Sequence, residues 1–120
     1  MKLILILMSF LSSLFGSNAQ KNDTIKILDP SAFKTAIHSK DVQLVDVRTP
    51  NEFNGGHIEN AVNIDFFNQS DFISAVKKLD KEKPVYVYCR SGNRSQKAAH
   101  QLDSLGFKKI FDLKGGYLNW

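Results

Sequence analysis

The chain has 120 residues, a formal charge of +4, three histidines and one cysteine, Cys89. That length suits one modest domain, and the positive charge is scattered without a basic block or an aromatic-interleaved basic face, which argues against nucleic acid as a partner. One cysteine cannot close an intrachain disulfide, and three histidines beside it at no ligand-like spacing give no reason to expect a structural metal site.

The N-terminus carries Lys2, an uncharged and mostly apolar run over 3–15, and the small residues Ser17-Asn18-Ala19. This is the order of a secretory signal peptide cut before Gln20, and the run falls short of the about 20 apolar residues that span a bilayer. The expectation is a signal peptide over 1–19, a short polar linker, and one domain over 25–120. The mature protein is then exported, into a bacterial periplasm, with no stable membrane span after cleavage. The alternative is an uncleaved membrane anchor. Export sharpens the meaning of Cys89, because cysteines in an oxidising compartment usually come in pairs. The bland reading is a buried core thiol at a strand end. The sharper one is a working thiol.

Residues 25–28 form a short apolar run expected to be an edge strand. Asp29-Pro30 reads as a helix N-cap with proline at the first helical position, and Phe33, Ala36 and Ile37 give that helix an apolar face. A strand rich in β-branched residues covers 42–47. Thr49-Pro50 starts a short helical turn that Gly55-Gly56 ends. A brief third strand covers 62–64. Phe72, Val76 and Leu79 recur at helical spacing behind a cap at Asn68 or Ser70. The strand over 85–88 leads into Cys89, a helix carries Ala98, Leu102 and Leu105 to Gly106, and a last strand covers 109–113 before Gly115-Gly116 and a final turn. Strands alternating with helices predict an α/β fold, a parallel sheet with helices on both faces, and ligands at the carboxyl ends of its strands. Cys89 and Asp46-Val47-Arg48 both fall at such ends.

Cys89-Arg90-Ser91-Gly92-Asn93-Arg94 joins that fourth strand to a helix expected to open at Ser95. A free cysteine ionises near 8.5 and reactive ones at about 3.5–7.5. A drop of two units needs about 2.7 kcal/mol of thiolate stabilisation. A helix N-terminus gives about 0.3–1, or up to about 2 when partly buried. The expectation is that loop amides form an anion-binding nest around the sulfur, with Arg90 and Arg94 supplying charge, Ser91 and Ser95 hydroxyl donors, and Gly92 and Asn93 the backbone freedom for the curl. Duller roles stand beside these: Arg90 in solvent, Arg94 as a solvated helix-start residue, Ser95 as an N-cap. Asp46 could pair with Arg48 or cap a backbone amide, a structural role in place of a catalytic one. Arg48 and Glu52 could form a surface ion pair, and His57 could make a structural hydrogen bond in place of general-base work.

These residues resemble the rhodanese family of sulfurtransferases. Asp46-Val47-Arg48 with Glu52-Phe53 is similar to a first family signature. Gly56-His57-Ile58 followed by Ala61-Val62-Asn63-Ile64 is similar to a second. The strand and loop from Val85 to Ser95 are similar to the active-site segment, and Leu113-Lys114-Gly115-Gly116 with Trp120 to the closing motif. The resemblance implies a rhodanese-like fold, a five-stranded parallel sheet with helices on both faces, in a single-domain protein. It implies that Cys89 accepts a sulfane sulfur from a small anionic donor such as thiosulfate, holds it as a persulfide, and yields it to a thiophilic acceptor such as cyanide or a thiol. Arg90, Ser91, Gly92, Asn93, Arg94 and Ser95 would bind the donor, Asp46 and Arg48 would support the site, and no metal or organic cofactor is implied. Two alternatives stand beside this reading. One is a non-catalytic persulfide carrier or partner-binding module. The other is a cysteine phosphatase or arsenate reductase, whose loop is one residue longer, whereas four residues separate Cys89 from Arg94 here. The shorter loop is expected to crowd a tetrahedral phosphate and to leave room for one sulfur atom.

Overall fold

The computed structural model describes residues 23–39 and 41–120. The proposed leader lies outside them. Five short strands, β1 (Ile25–Leu28), β2 (Gln43–Asp46), β3 (Val62–Asn63), β4 (Val85–Tyr88) and β5 (Ile110–Leu113), pair in the order β1-β5-β4-β2-β3. All four pairings are parallel. Parallel neighbours need crossovers, and the chain supplies α1 (Pro30–Ile37), α2 (Pro50–Asn54), α3 (Gln69–Val76) and α4 (Asn93–Ser104). A 3-10 turn, Tyr117–Asn119, closes the chain. β4 lies in the middle of the sheet, so its carboxyl end opens at the centre of the rim where such sheets take ligands.

Alternation along β4 builds both halves of the core. Val85 and Val87 face α3 and α4, where they meet Phe72, Val76, Ala98, Ala99 and Leu102. Tyr86 and Tyr88 face the other way, toward Phe33 of α1, Leu44 and Leu113. A parallel sheet buried on both faces requires strands that are apolar on both sides, and VYVY satisfies this. Each fully buried Val, Leu or Phe contributes about 1.5–3 kcal/mol of transfer free energy. Among the described residues no helix is long and apolar enough to cross a membrane.

The helix starts follow from capping chemistry. Asp29 accepts the Ala32 N–H at 2.8 Å, with Pro30 at the first helical position. Thr49 and Glu52 form a reciprocal capping box around the start of α2. Asn68 caps α3. Strands β2, β3 and β5 are each a residue or two shorter than expected, and two boundaries bear on the site. β2 ends at Asp46, and just beyond it the Arg48 N–H turns back to Asp46 Oδ1 at 2.9 Å. α4 opens at Asn93, because Gly92 with φ 108° makes the turn into the helix.

Candidate active site

Cys89 continues the α4-facing side of β4 by one residue, which brings its side chain beneath the first turn of α4. The Gly92 N–H donates to Sγ at 3.0 Å, so the loop curls back over the sulfur. The Sγ–H group donates to Ser95 Oγ at 3.4 Å, and Ser95 Oγ donates onward to the Gly92 carbonyl at 3.2 Å. Gly92 supplies no side-chain cap to α4. The first N–H groups of a helix have no intrahelical acceptor, so the donors of Asn93, Arg94 and Ser95 remain available at the sulfur's end of the helix. Cys89 is only 1% exposed and its other side touches the apolar core. The bland and the sharp readings of this thiol thus meet at one atom, with hydrocarbon below and oriented N–H groups above.

The loop holds this shape because its carbonyls are gripped from outside. The Cys89 carbonyl accepts the Tyr117 N–H at 2.8 Å and the Arg90 carbonyl accepts the Leu118 N–H at 3.0 Å. That contact depends on Gly116, with φ 66°. A Cβ there would stand 2.5 Å from the Arg90 carbonyl carbon and oxygen and 2.7 Å from the Cys89 oxygen. With these carbonyls directed outward, the loop can present its amides inward. Arg90, Ser91 and Asn93 are exposed at the mouth.

The cations do not share one role. The Arg94 guanidinium forks onto Glu52, Nη1 to Oε1 at 2.7 Å and Nη2 to Oε2 at 2.9 Å, and lies over the Phe67 ring at 5.1 Å. Glu52 also accepts the Thr49 N–H and hydroxyl through Oε1. Arg94 holds the Glu52 carboxyl at about 2, helped by the Thr49 N–H and hydroxyl and opposed by burial. Glu52 in turn raises Arg94, which also feels Cys89. Arg94 is therefore neither a solvated helix-start residue nor a free anion receptor. Among the described residues the ion pairs are Arg94–Glu52 and Arg48–Asp46, which leaves Arg90 as the uncompensated arginine at the mouth.

Asp46 and Arg48 form a buried pin below the rim. Arg48 reaches Asp46 through Nε (3.0 and 3.1 Å) and Nη2 (2.7 Å), and its Nη2 also donates to the Gly56 carbonyl at 2.7 Å. Its guanidinium lies 4.5 Å from the Tyr117 ring centroid, under the turn that grips the loop carbonyls. Burial disfavours the charged Arg48, but the Asp46 hydrogen bonds and charge outweigh it and the net direction is up. Asn63 Nδ2 ties the carbonyls of Asp46 and Arg48 together. Tyr88 Oη accepts the Ile58 N–H at 3.0 Å, and burial pushes its phenol well above the ordinary value. His57 stacks on Phe53 at 3.8 Å and donates Nδ1–H to the Ile58 carbonyl at 2.9 Å, a structural bond.

Two readings of the sequence differ from the structure. Ser95 is not the N-cap of α4, because Gly92 holds that position three residues earlier, and Ser95 is instead fully buried against the sulfur. Arg48 pairs with Asp46 and leaves Glu52 to Arg94. The sequence reading also missed Gly116 as a backbone contact, and Gln96 with Asp112 beneath α4. The Thr-x-x-Glu spacing at 49–52 is the signal that could have kept Glu52 on its own turn, aimed away from Arg48.

The family model described as "Rhodanese-like domain" matches residues 29–120. The tRNA uridine(34) hydroxylase of Pelagibacter ubique (strain HTCC1062) is 38% identical over 104 residues, which cover 87% of this chain and 35% of that protein. The chain thus spans about a third of that relative's length. The thiosulfate sulfurtransferase GlpE of Shewanella oneidensis is 40% identical over 82 residues, 68% of this chain and 78% of that one. The crystal structure of a rhodanese-like domain protein from Staphylococcus aureus superposes with a TM-score of 0.70 at 30% identity, over 79% of this chain and 90% of that chain. The chain belongs to the rhodanese-like domain family.

Proposed function

We propose that this rhodanese-like domain is a sulfurtransferase that carries sulfur on Cys89. The observation that carries the reading is the Gly92 N–H donated to Sγ at 3.0 Å at the foot of an uncapped helix. A thiolate there attacks the outer sulfur of a donor such as thiosulfate. The S–S bond of the donor breaks, sulfite leaves with the bonding pair, and Cys89 becomes a persulfide. A thiophilic acceptor then attacks the terminal sulfur, and the thiolate leaves. Cyanide gives thiocyanate by this route, and a thiol becomes a persulfide. The loop amides stabilise anionic sulfur in both half-reactions, and Arg90 at the mouth draws the anion in. The thiosulfate sulfurtransferase name of a relative at 40% identity supports this choice of donor.

The phosphatase reading is weaker, because the Arg94 guanidinium forks onto Glu52 and is not committed to a tetrahedral anion above Sγ. Export is proposed on the residues of 1–19 alone, and cell fractionation with N-terminal sequencing tests it. For the chemistry, thiocyanate formation from thiosulfate and cyanide should proceed by ping-pong kinetics with the parent and vanish with Cys89→Ser. Sulfur capture with very slow release to cyanide would identify a carrier. Hydrolysis of p-nitrophenyl phosphate without sulfur capture would establish the phosphatase reading instead.

A further inference from the structure

The proposed chemistry makes no use of one buried ionisable side chain that lies beside it. Asp112 is 2% exposed on β5. Its register partners are Val87 on β4 and Ile27 on β1. The parity of the strand turns its side chain to the α4 face, the same face that carries Cys89. Its Oδ2 accepts Gln96 Nε2 at 2.6 Å, while Oδ1 is buried with no partner. An unpaired buried carboxylate oxygen costs about 1–3 kcal/mol or more, so its persistence here calls for a physical reason.

The other polar side chain beside this carboxyl is Ser95, whose Oγ stands 3.4 Å from Cys89 Sγ. A serine hydroxyl has one hydrogen to give and can accept two hydrogen bonds. Three acceptors compete for that one hydrogen: the Gly92 carbonyl, the sulfur once ionised, and the carboxyl of Asp112 when charged.

Resting on the sulfurtransferase reading, we propose that Asp112 is a positioning residue. With a proton on Oδ1 it donates to Ser95 Oγ and leaves the serine hydrogen free for anionic sulfur; without that proton it takes the serine hydrogen for itself. The proton lost by Sγ on ionisation goes to solvent. Burial pushes the carboxyl up from the ordinary 3.8 against the downward pull of Gln96, Ser95 and the Leu113 N–H. The residues that pair with or touch Asp112 from its neighbours are Ile27 of β1, Val87 of β4, and Ser95 and Gln96 of α4, none of them charged. The charges around the sulfur itself come from Arg94, with Glu52 on its outer side.

The test uses iodoacetamide, which reports on the Cys89 sulfur without any sulfur transfer. Alkylation rates are followed from about pH 5 to 9 for the parent, Asp112→Asn, Ser95→Ala and the double variant, each checked for cooperative unfolding. Asparagine cannot ionise and keeps a donor beside Ser95. The ratio of Asp112→Asn to parent should therefore rise with pH, by about tenfold to a hundredfold, the size of one hydrogen bond to a charged group. In the Ser95→Ala background that rise should disappear. Asp112→Ala, which has no donor, should be slower than Asp112→Asn at every pH. A ratio flat with pH overturns the proposal, and so does a rise that persists without the serine hydroxyl. If Ser95→Ala fails to fold, Ser95→Gly removes the same hydroxyl. A parent that never takes sulfur from thiosulfate defeats the proposed function and leaves this alkylation test standing.

Discussion

Glu52→Gln separates the charge of the Arg94–Glu52 clamp from its shape. Glutamine keeps the reciprocal capping geometry with Thr49 and still offers Arg94 one acceptor, so the negative charge and one arm of the fork are lost. The Glu52 carboxyl titrates at about 2 in the folded chain against an ordinary 4.5. At about 1.36 kcal/mol per pH unit the difference is worth about 3 kcal/mol. The two side chains are 18% and 27% exposed, and solvent screening of a partly exposed pair brings the expected contribution to about 1–2 kcal/mol. The folded-state value is depressed, so this stability is complete above about pH 4.5 and is lost as pH falls toward 2. Urea unfolding at pH 7 should therefore show the variant less stable by about 1–2 kcal/mol, or about 4–8 °C in Tm for each kcal/mol. The gap should narrow steadily below pH 4.5. Release of Arg94, which feels Cys89, should at the same time speed alkylation of the sulfur by iodoacetamide at neutral pH. A gap that stays constant down to about pH 3 would refute the reasoning, because the loss would then come from the capping box and not from the ion pair.

Two further outcomes test the supports of the site. Asp46→Asn strands the buried Arg48 charge and should cost about 3–5 kcal/mol in denaturant unfolding, whereas replacing both residues by apolar side chains of similar size should cost less. Gly116→Ala drives a Cβ to 2.5 Å from the Arg90 backbone, at a φ and ψ of 66° and −162° that glycine alone tolerates. It should lower stability by about 2 kcal/mol or more and abolish sulfur loading, as measured by unfolding and by mass spectrometry of the thiosulfate-treated protein.

Much of the fold was legible because local signals agreed with it. Asp29-Pro30, Thr49-Pro50 and Asn68 mark the starts of three helices, and VYVY reads as a strand buried on both faces. The exception is α4, the helix that matters most. Its start carries no side-chain cap, and a serine two residues inside looks like the cap that is missing. A site that directs helix N–H groups at sulfur gives up the cap that would mark it in sequence. Cys89, Gly92 and the loop around them were legible from order and spacing, as was the Asp46–Arg48 pair, two residues apart. Contacts across long separations were not. Arg94 meets Glu52 from 42 residues away, and Gln96 meets Asp112 from 16. Periodicity sets faces and ends of elements, but not which of two carboxylates an arginine will grip. Gly116 read only as a turn residue because nothing local shows that the backbone of Arg90 lies against it.

Sulfur uptake by Cys89 is the step on which the proposed chemistry depends, and mass spectrometry reads it directly. After incubation with thiosulfate and removal of the excess, the intact protein should gain the mass of one sulfur atom, localised by peptide mapping to Cys89 and discharged by cyanide. An unchanged mass in folded parent protein, or an equal gain in Cys89→Ser, would contradict it.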